Sequence, residues 1–156
     1  MNKCVMAVKA ALISPEMLVV LMALFWLLNV PEFLSSATDA ASTAPQAVKY
    51  VSLIPAGVLV WSITEAKSIL FPAEDAKGVL VSWPRYGELR QRVVIGLLFN
   101  LTFAVMATFL WVAPSYLSEP REVILTGMSI LGSVVCASTL LTASLTVRAI
   151  AKNANT

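Results

Sequence analysis

Apolar positions dominate four stretches of this chain, at about residues 10–30, 50–71, 93–113 and 123–147, with polar residues gathered between them. Roughly 20 apolar residues in a helix cross a ~30 Å hydrocarbon core, so each stretch predicts a transmembrane helix. Helix is the expected form because the backbone of a lone strand would stay unpaired in lipid. Ser14 and Pro15 predict a helix start, with a capping hydroxyl and a proline at the first helical position. Residues 34–47 are small and polar without periodicity and read as a loop. Pro55 and Gly57 lie inside the second stretch, where a proline predicts a kink. The stretch ends at Phe71 and Pro72. The longest connection follows, residues 72–92, in which Val79–Trp83 predicts a short strand or an interfacial segment. Pro84 can then open a helix at Arg85 that runs on into the third stretch. Pro114 stops that helix, and a tight polar turn at Ser115–Glu122 leads to the fourth.

Composition agrees with this pattern. Of 156 residues, 58% are hydrophobic and 13% charged, with a mean hydropathy of +0.82. A soluble domain carries about 25% charged residues, so this chain is short of polar surface to show water. Four spans leave too little chain for a second domain, and residues 1–156 read as one membrane domain. The net charge of +2 and the absence of any long basic run argue against direct nucleic-acid binding. There is no histidine, which removes the commonest metal ligand and the commonest general base near neutral pH. No cofactor and no metal site are expected. Cys4 and Cys136 sit in dissimilar settings, and reduced thiols are the expectation for both.

Charge sets the orientation. Lys3, Lys9, Lys67, Lys77, Arg85, Arg90, Arg92, Arg148 and Lys152 fall on one side of the four stretches, and Lys49 and Arg121 on the other. Cytoplasmic loops collect Lys and Arg, so both termini and residues 72–92 are expected in the cytoplasm. The expected class is an all-α, polytopic protein of a bacterial inner membrane, in contact with its lipids. A secretory signal peptide is the competing reading of the first stretch. Glu16 interrupts its apolar core and the run is long, which favours a retained helix.

Within the apolar stretches, ionisable residues are functional candidates because they are costly there. Glu16, Glu65 and Lys67 qualify. They read either as a belt of ion pairs near the inner boundary, with Arg90, Arg92 or Arg148 as partners, or with Glu16 as a proton or cation site, as in small four-helix exporters. Gly96, Asn100, Ala104 and Thr108 recur every four residues and share one helix face. Small and amide residues on one face are what helices use to associate in lipid, within a bundle or between subunits. Ser129 and Ser133 repeat the theme in the fourth stretch. A hydroxyl-lined pore is the alternative, though no ring of charge lies at mid-membrane.

The connection at 72–92 interleaves Trp83, Tyr86 and Leu89 with Arg85, Arg90 and Arg92. These residues suit the headgroup layer, where aromatics and arginines meet anionic lipid. They equally suit a docking platform, since Trp, Tyr and Arg dominate protein interfaces. In span number, topology, the position of the long loop and its stretch WPRYGELR (Trp83–Arg90), the chain resembles the small four-span membrane subunits that bacteria pair with a soluble effector, in particular the membrane subunit of the Kiwa anti-phage system. That resemblance implies a homo-oligomeric membrane sensor that gathers a cytoplasmic effector during phage attack. The residues favour a non-enzymatic subunit that oligomerises and recruits a partner through its loop. The alternative is a small pore or transporter. No nucleophile–base pair or metal cluster supports an enzyme.

Overall fold

The computed structural model describes residues 14–29, 39, 43, 46, 50–72, 78, 80–112 and 119–153, with the side chains of 119 and 151–153 left aside. Four helices organise them: α1 (Pro15–Leu28), α2 (Ile54–Leu70), α3 (Tyr86–Val112) and α4 (Glu119–Asn153). The chain is all-α, with no strand among the described residues. The α3 helix and the Pro120–Ile150 part of α4 are long and apolar enough to cross a membrane. By contrast, α1 has 14 residues and α2 has 17, about 21 and 25 Å at 1.5 Å per residue. Two helices rather than four therefore reach crossing length among the described residues.

Local chemistry fixes the helix ends. Ser14 caps α1, its Oγ accepting from the Met17 amide at 3.2 Å, and Pro15 takes a first-turn position whose missing N–H has no intrahelical role. At the far end the Asn29 amide donates to the Phe25 carbonyl at 3.0 Å. Pro55 does not kink a helix interior as the sequence predicted. Residues 52–53 form a turn, α2 begins at Ile54, and Pro55 stands in its first turn, where no hydrogen bond is lost. The strand option within 79–83 is also overturned: residues 80–82 are helical, with the Trp83 amide donating to the Leu80 carbonyl at 3.2 Å. Leu80 is fully buried in the core, so an apolar short run here is a packed helical piece. Arg85 precedes α3, and its carbonyl accepts from the Leu89 amide at 3.0 Å. The turn expected over 115–122 is shortened by α4, which starts at Glu119 with Pro120 at its second residue. Residues 113–118, all of the 34–47 loop but 39, 43 and 46, residues 73–77 and 79 of the long connection, and Cys4 lie outside the described residues.

The bundle is built around α4. Helices α2, α3 and α4 pack on one another, and α1 lies along α4. Ser62 meets Asn100 and Ile69 meets Tyr86, so α2 and α3 run antiparallel. One apolar cluster, Val19, Ala23, Phe103, Ile124, Met128 and Cys136, joins α1, α3 and α4. A second, including Ala66, Ile69, Val93, Leu140, Ala143 and Val147, joins α2, α3 and α4. At the α3–α4 contact the Phe103 ring lies directly over Gly132, where a Cβ would overlap it. Gly96, Ala104 and Ala107 face inward on α3, although no neighbouring atom comes within 4 Å of where a Gly96 Cβ would lie. The outward faces are as apolar as the inward ones. Leu28, Phe25, Val60, Val105 and Leu145 are all exposed, whereas Ser62, Asn100, Ser129 and Ser133 are fully buried. Apolar outside and polar within is the reverse of a soluble protein's economy of surface.

Candidate functional site

The polar interior is organised by α4, which offers hydroxyls to both neighbouring helices. Thr139 and Ser144 are five residues apart, about 140° around the helix at 3.6 residues per turn. One therefore faces α1 and the other α2. Thr139 donates to Glu16 Oε1 at 2.9 Å, and Ser144 donates to Glu65 Oε2 at 2.7 Å. Glu65 also receives Arg148 Nη2, at 3.0 and 3.2 Å from its two oxygens. The pair is partly wet, with Glu65 19% and Arg148 65% exposed. Glu16 is 2% exposed, and no ion pair to it is seen among the described residues. Of the cations that the sequence offered as partners, Arg148 takes Glu65; Lys67, Arg90 and Arg92 are exposed.

Asn100 is the polar centre of the α2–α3–α4 junction. Its Nδ2 donates to Ser62 Oγ at 2.8 Å, both side chains being fully buried. About four turns nearer the start of α3, the Tyr86 hydroxyl donates to the Ile69 carbonyl at 2.8 Å. These two bonds clamp α2 to α3. Gly96 and Ala104 are buried on the Asn100 face, while Thr108 is exposed and returns its proton to the Ala104 carbonyl at 2.8 Å. Their packing is within one chain. Ser129 is buried and donates to the Leu125 carbonyl at 2.7 Å; Ser133 is buried with no hydrogen-bond partner in the protein. On the outer faces Ser138, Thr142 and Thr146 donate to the carbonyls of Val134, Ser138 and Thr142. That leaves each hydroxyl proton satisfied by its own helix.

The loop residues divide. Arg85, Arg90 and Arg92 are exposed at the start of α3, together with Glu88. Tyr86 and Leu89 pack instead against the second apolar cluster, and Trp83 is half-buried. Tyr86 cannot offer a partner the hydroxyl it gives to Ile69. Sequence reasoning did not single out Ser62, Thr139 or Ser144; a hydroxyl within a turn of a carboxylate or amide in an apolar run is the signal that marks Ser62, and the others carry no local signal. Among the described residues no three His, Cys, Asp or Glu side chains gather as a metal site, and Cys136 is a free, buried thiol. No family model, curated protein or solved structure matches this chain.

Proposed function

We propose that the chain is a non-enzymatic, four-pass subunit of a bacterial inner membrane, with both termini cytoplasmic. It self-associates in the bilayer and receives a cytoplasmic effector protein on residues 72–92. The observation that carries this reading is the division at the start of α3. Tyr86 and Leu89 anchor the helix to α2, while Arg85, Arg90 and Arg92 stand exposed beyond its apolar length. A rigid helix end that shows guanidinium groups suits recognition of an acidic protein surface. The apolar outer surface supports placement in lipid, and the nine-to-two charge bias supports the orientation. For α1 and α2, a crossing rests on the apolar runs of the sequence at about 10–30 and 50–71. An anti-phage role rests on the resemblance of layout alone.

Copurification from a detergent extract of the native host tests the proposal. A stoichiometric cytoplasmic protein should accompany the wild-type chain and be lost from the Arg85→Ala, Arg90→Ala, Arg92→Ala triple variant, whose insertion is unchanged. Retention of the partner by the triple variant sinks the docking assignment. A small pore or transporter is the second reading, favoured by the inward-facing Glu16, Glu65 and Asn100. Ion flux through liposomes holding the chain alone would select it.

A further inference from the structure

We propose that Lys67 and Arg90 form a binding site for the headgroup of an anionic phospholipid, on the outward face shared by α2 and α3. The site rests on the membrane placement proposed above, and it divides the arginines of α3 between two partners. Ala66 and Ile69 of α2 join Leu89 and Val93 of α3 in one apolar cluster. Lys67 lies between the first two in sequence and Arg90 between the second two, so the cations stand within about one helical turn of the same level.

Both turn to the same side. Glu65 faces α4 through Ser144 and Arg148. Lys67, two residues on and about 200° round the helix, faces away from α4. Arg90 is one turn from Tyr86, whose hydroxyl reaches α2, and so stands on the α2 side of α3. Both cations are exposed, and neither makes an ion pair among the described residues.

An exposed apolar stripe runs from each cation. On α2, Ile63 and Val60 are four and seven residues before Lys67; on α3, Val94 and Leu98 are four and eight residues after Arg90. These spacings keep each set on one face, and the four side chains are between 42% and 68% exposed. Because α2 and α3 are antiparallel, both stripes run in the same direction from the cations. Positive charge at the head of an apolar band is complementary to a phosphate above acyl chains.

The other arginines at the start of α3 lack this arrangement. Arg92 is two residues from Arg90 and about 200° round the helix. Four residues on from it is Gly96, buried, and seven on is Phe99, packed on the first apolar cluster. Arg85 leads to Leu89, packed on the second. Glu88 shares their side, three residues from Arg85 and four from Arg92. That side carries mixed charge with no exposed apolar stripe and suits a protein surface. The side of Arg90 and Lys67 suits lipid.

Energy transfer from the protein's tryptophans to a phosphatidylglycerol with a pyrene-labelled acyl chain tests the site, with the full chain in neutral detergent. Transfer should saturate, and unlabelled phosphatidylglycerol should reverse it while phosphatidylcholine and inorganic phosphate do not. Lys67→Gln and Arg90→Gln should each weaken the apparent affinity about fivefold, and the pair about 25-fold, as cations near an anionic headgroup are lost. Arg92→Gln, on the far side of the helix, should change it by less than about twofold, since screening weakens a distant charge. Four results overturn the site: equal displacement by phosphatidylcholine, displacement by inorganic phosphate, an unchanged affinity in the double variant, or a loss for Arg92→Gln equal to that for Arg90→Gln. The membrane placement is checked apart from the lipid. The chain should stay with host membranes through a carbonate wash whatever the titration gives, and its release would overturn both the placement and the site.

Discussion

Helix α4 is flanked by two seams, and they solve the burial of a carboxylate in different ways. Towards α1, Glu16 is almost wholly buried and takes a hydroxyl hydrogen bond from Thr139, amid a tight apolar cluster in which Phe103 lies on Gly132. Towards α2, Glu65 takes a hydroxyl from Ser144 but also a guanidinium from Arg148, near a junction with polar atoms and open space. A neutral donor suits a carboxyl that can stay out of water, whereas a cation suits one at the rim, where exposure softens the desolvation cost. The first seam is closed and apolar, the second partly open to its surroundings at the Glu65–Arg148 pair.

The sharpest way to break this contrast is to overfill the α3–α4 contact that backs the closed seam. Gly132→Val forces a side chain into the Phe103 ring and should cost about 1–3 kcal/mol or more, read as a large fall in detergent Tm. Gly96→Ala, where an added Cβ meets no neighbouring atom within 4 Å, should be tolerated far better. A small effect of Gly132→Val would mean that the two helices can part there, and the contrast would fail. Next in size is Asn100→Leu, which strands the Ser62 hydroxyl and removes an interhelical bond worth roughly 0.5–2 kcal/mol. Ser62→Ala combined with it should cost little more, because the two act as one pair.

How far the sequence exposed these seams depends on the residue. The helical class was legible because apolar runs of bilayer length can satisfy their backbones in few other ways. Which side of each helix faces inward was less so. Leu98, Leu101 and Val105 on the outside of α3 are as apolar as Phe103 and Leu110 inside, so periodicity of hydrophobicity does not separate them. The small residues and the amide at Gly96, Asn100 and Ala104 did mark the inner face, because a buried amide needs a partner, here Ser62. The ion pair of Glu65 with Arg148 was one of several that charge counting allowed. Thr139 and Ser144 could not be read at all, since their partners lie 123 and 79 residues away. Tyr86 misled in a useful manner: its company of arginines suggested a surface, while its hydroxyl was spent on Ile69.

Two smaller effects sharpen the comparison of the carboxylates. Glu65→Gln leaves Arg148 without its counter-charge, and the loss should be about 0–1 kcal/mol given the exposure of the pair. Raising the salt concentration should shrink the difference between Glu65→Gln and wild type, as screening weakens a wet ion pair. Glu16→Gln keeps an acceptor for Thr139 and puts a neutral amide in place of a buried carboxyl, so it should leave Tm unchanged or raise it slightly. Melting curves at two salt concentrations check both variants together. A loss for Glu16→Gln larger than that for Glu65→Gln would show that Glu16 carries a paired charge after all, and the two seams would then be alike.

The Tyr86 hydroxyl bond joins chain positions 17 residues apart, and so makes the connection between α2 and α3 a closed ring. The entropy of closing such a ring grows only with the logarithm of its size, so doubling the connecting segment would cost about 0.6 kcal/mol. Segment length is thereby decoupled from where α3 begins. Descendants of this chain can vary the connector's length around the core-packed Leu80 while the helix beneath keeps its register, much as a tool holder accepts different bits.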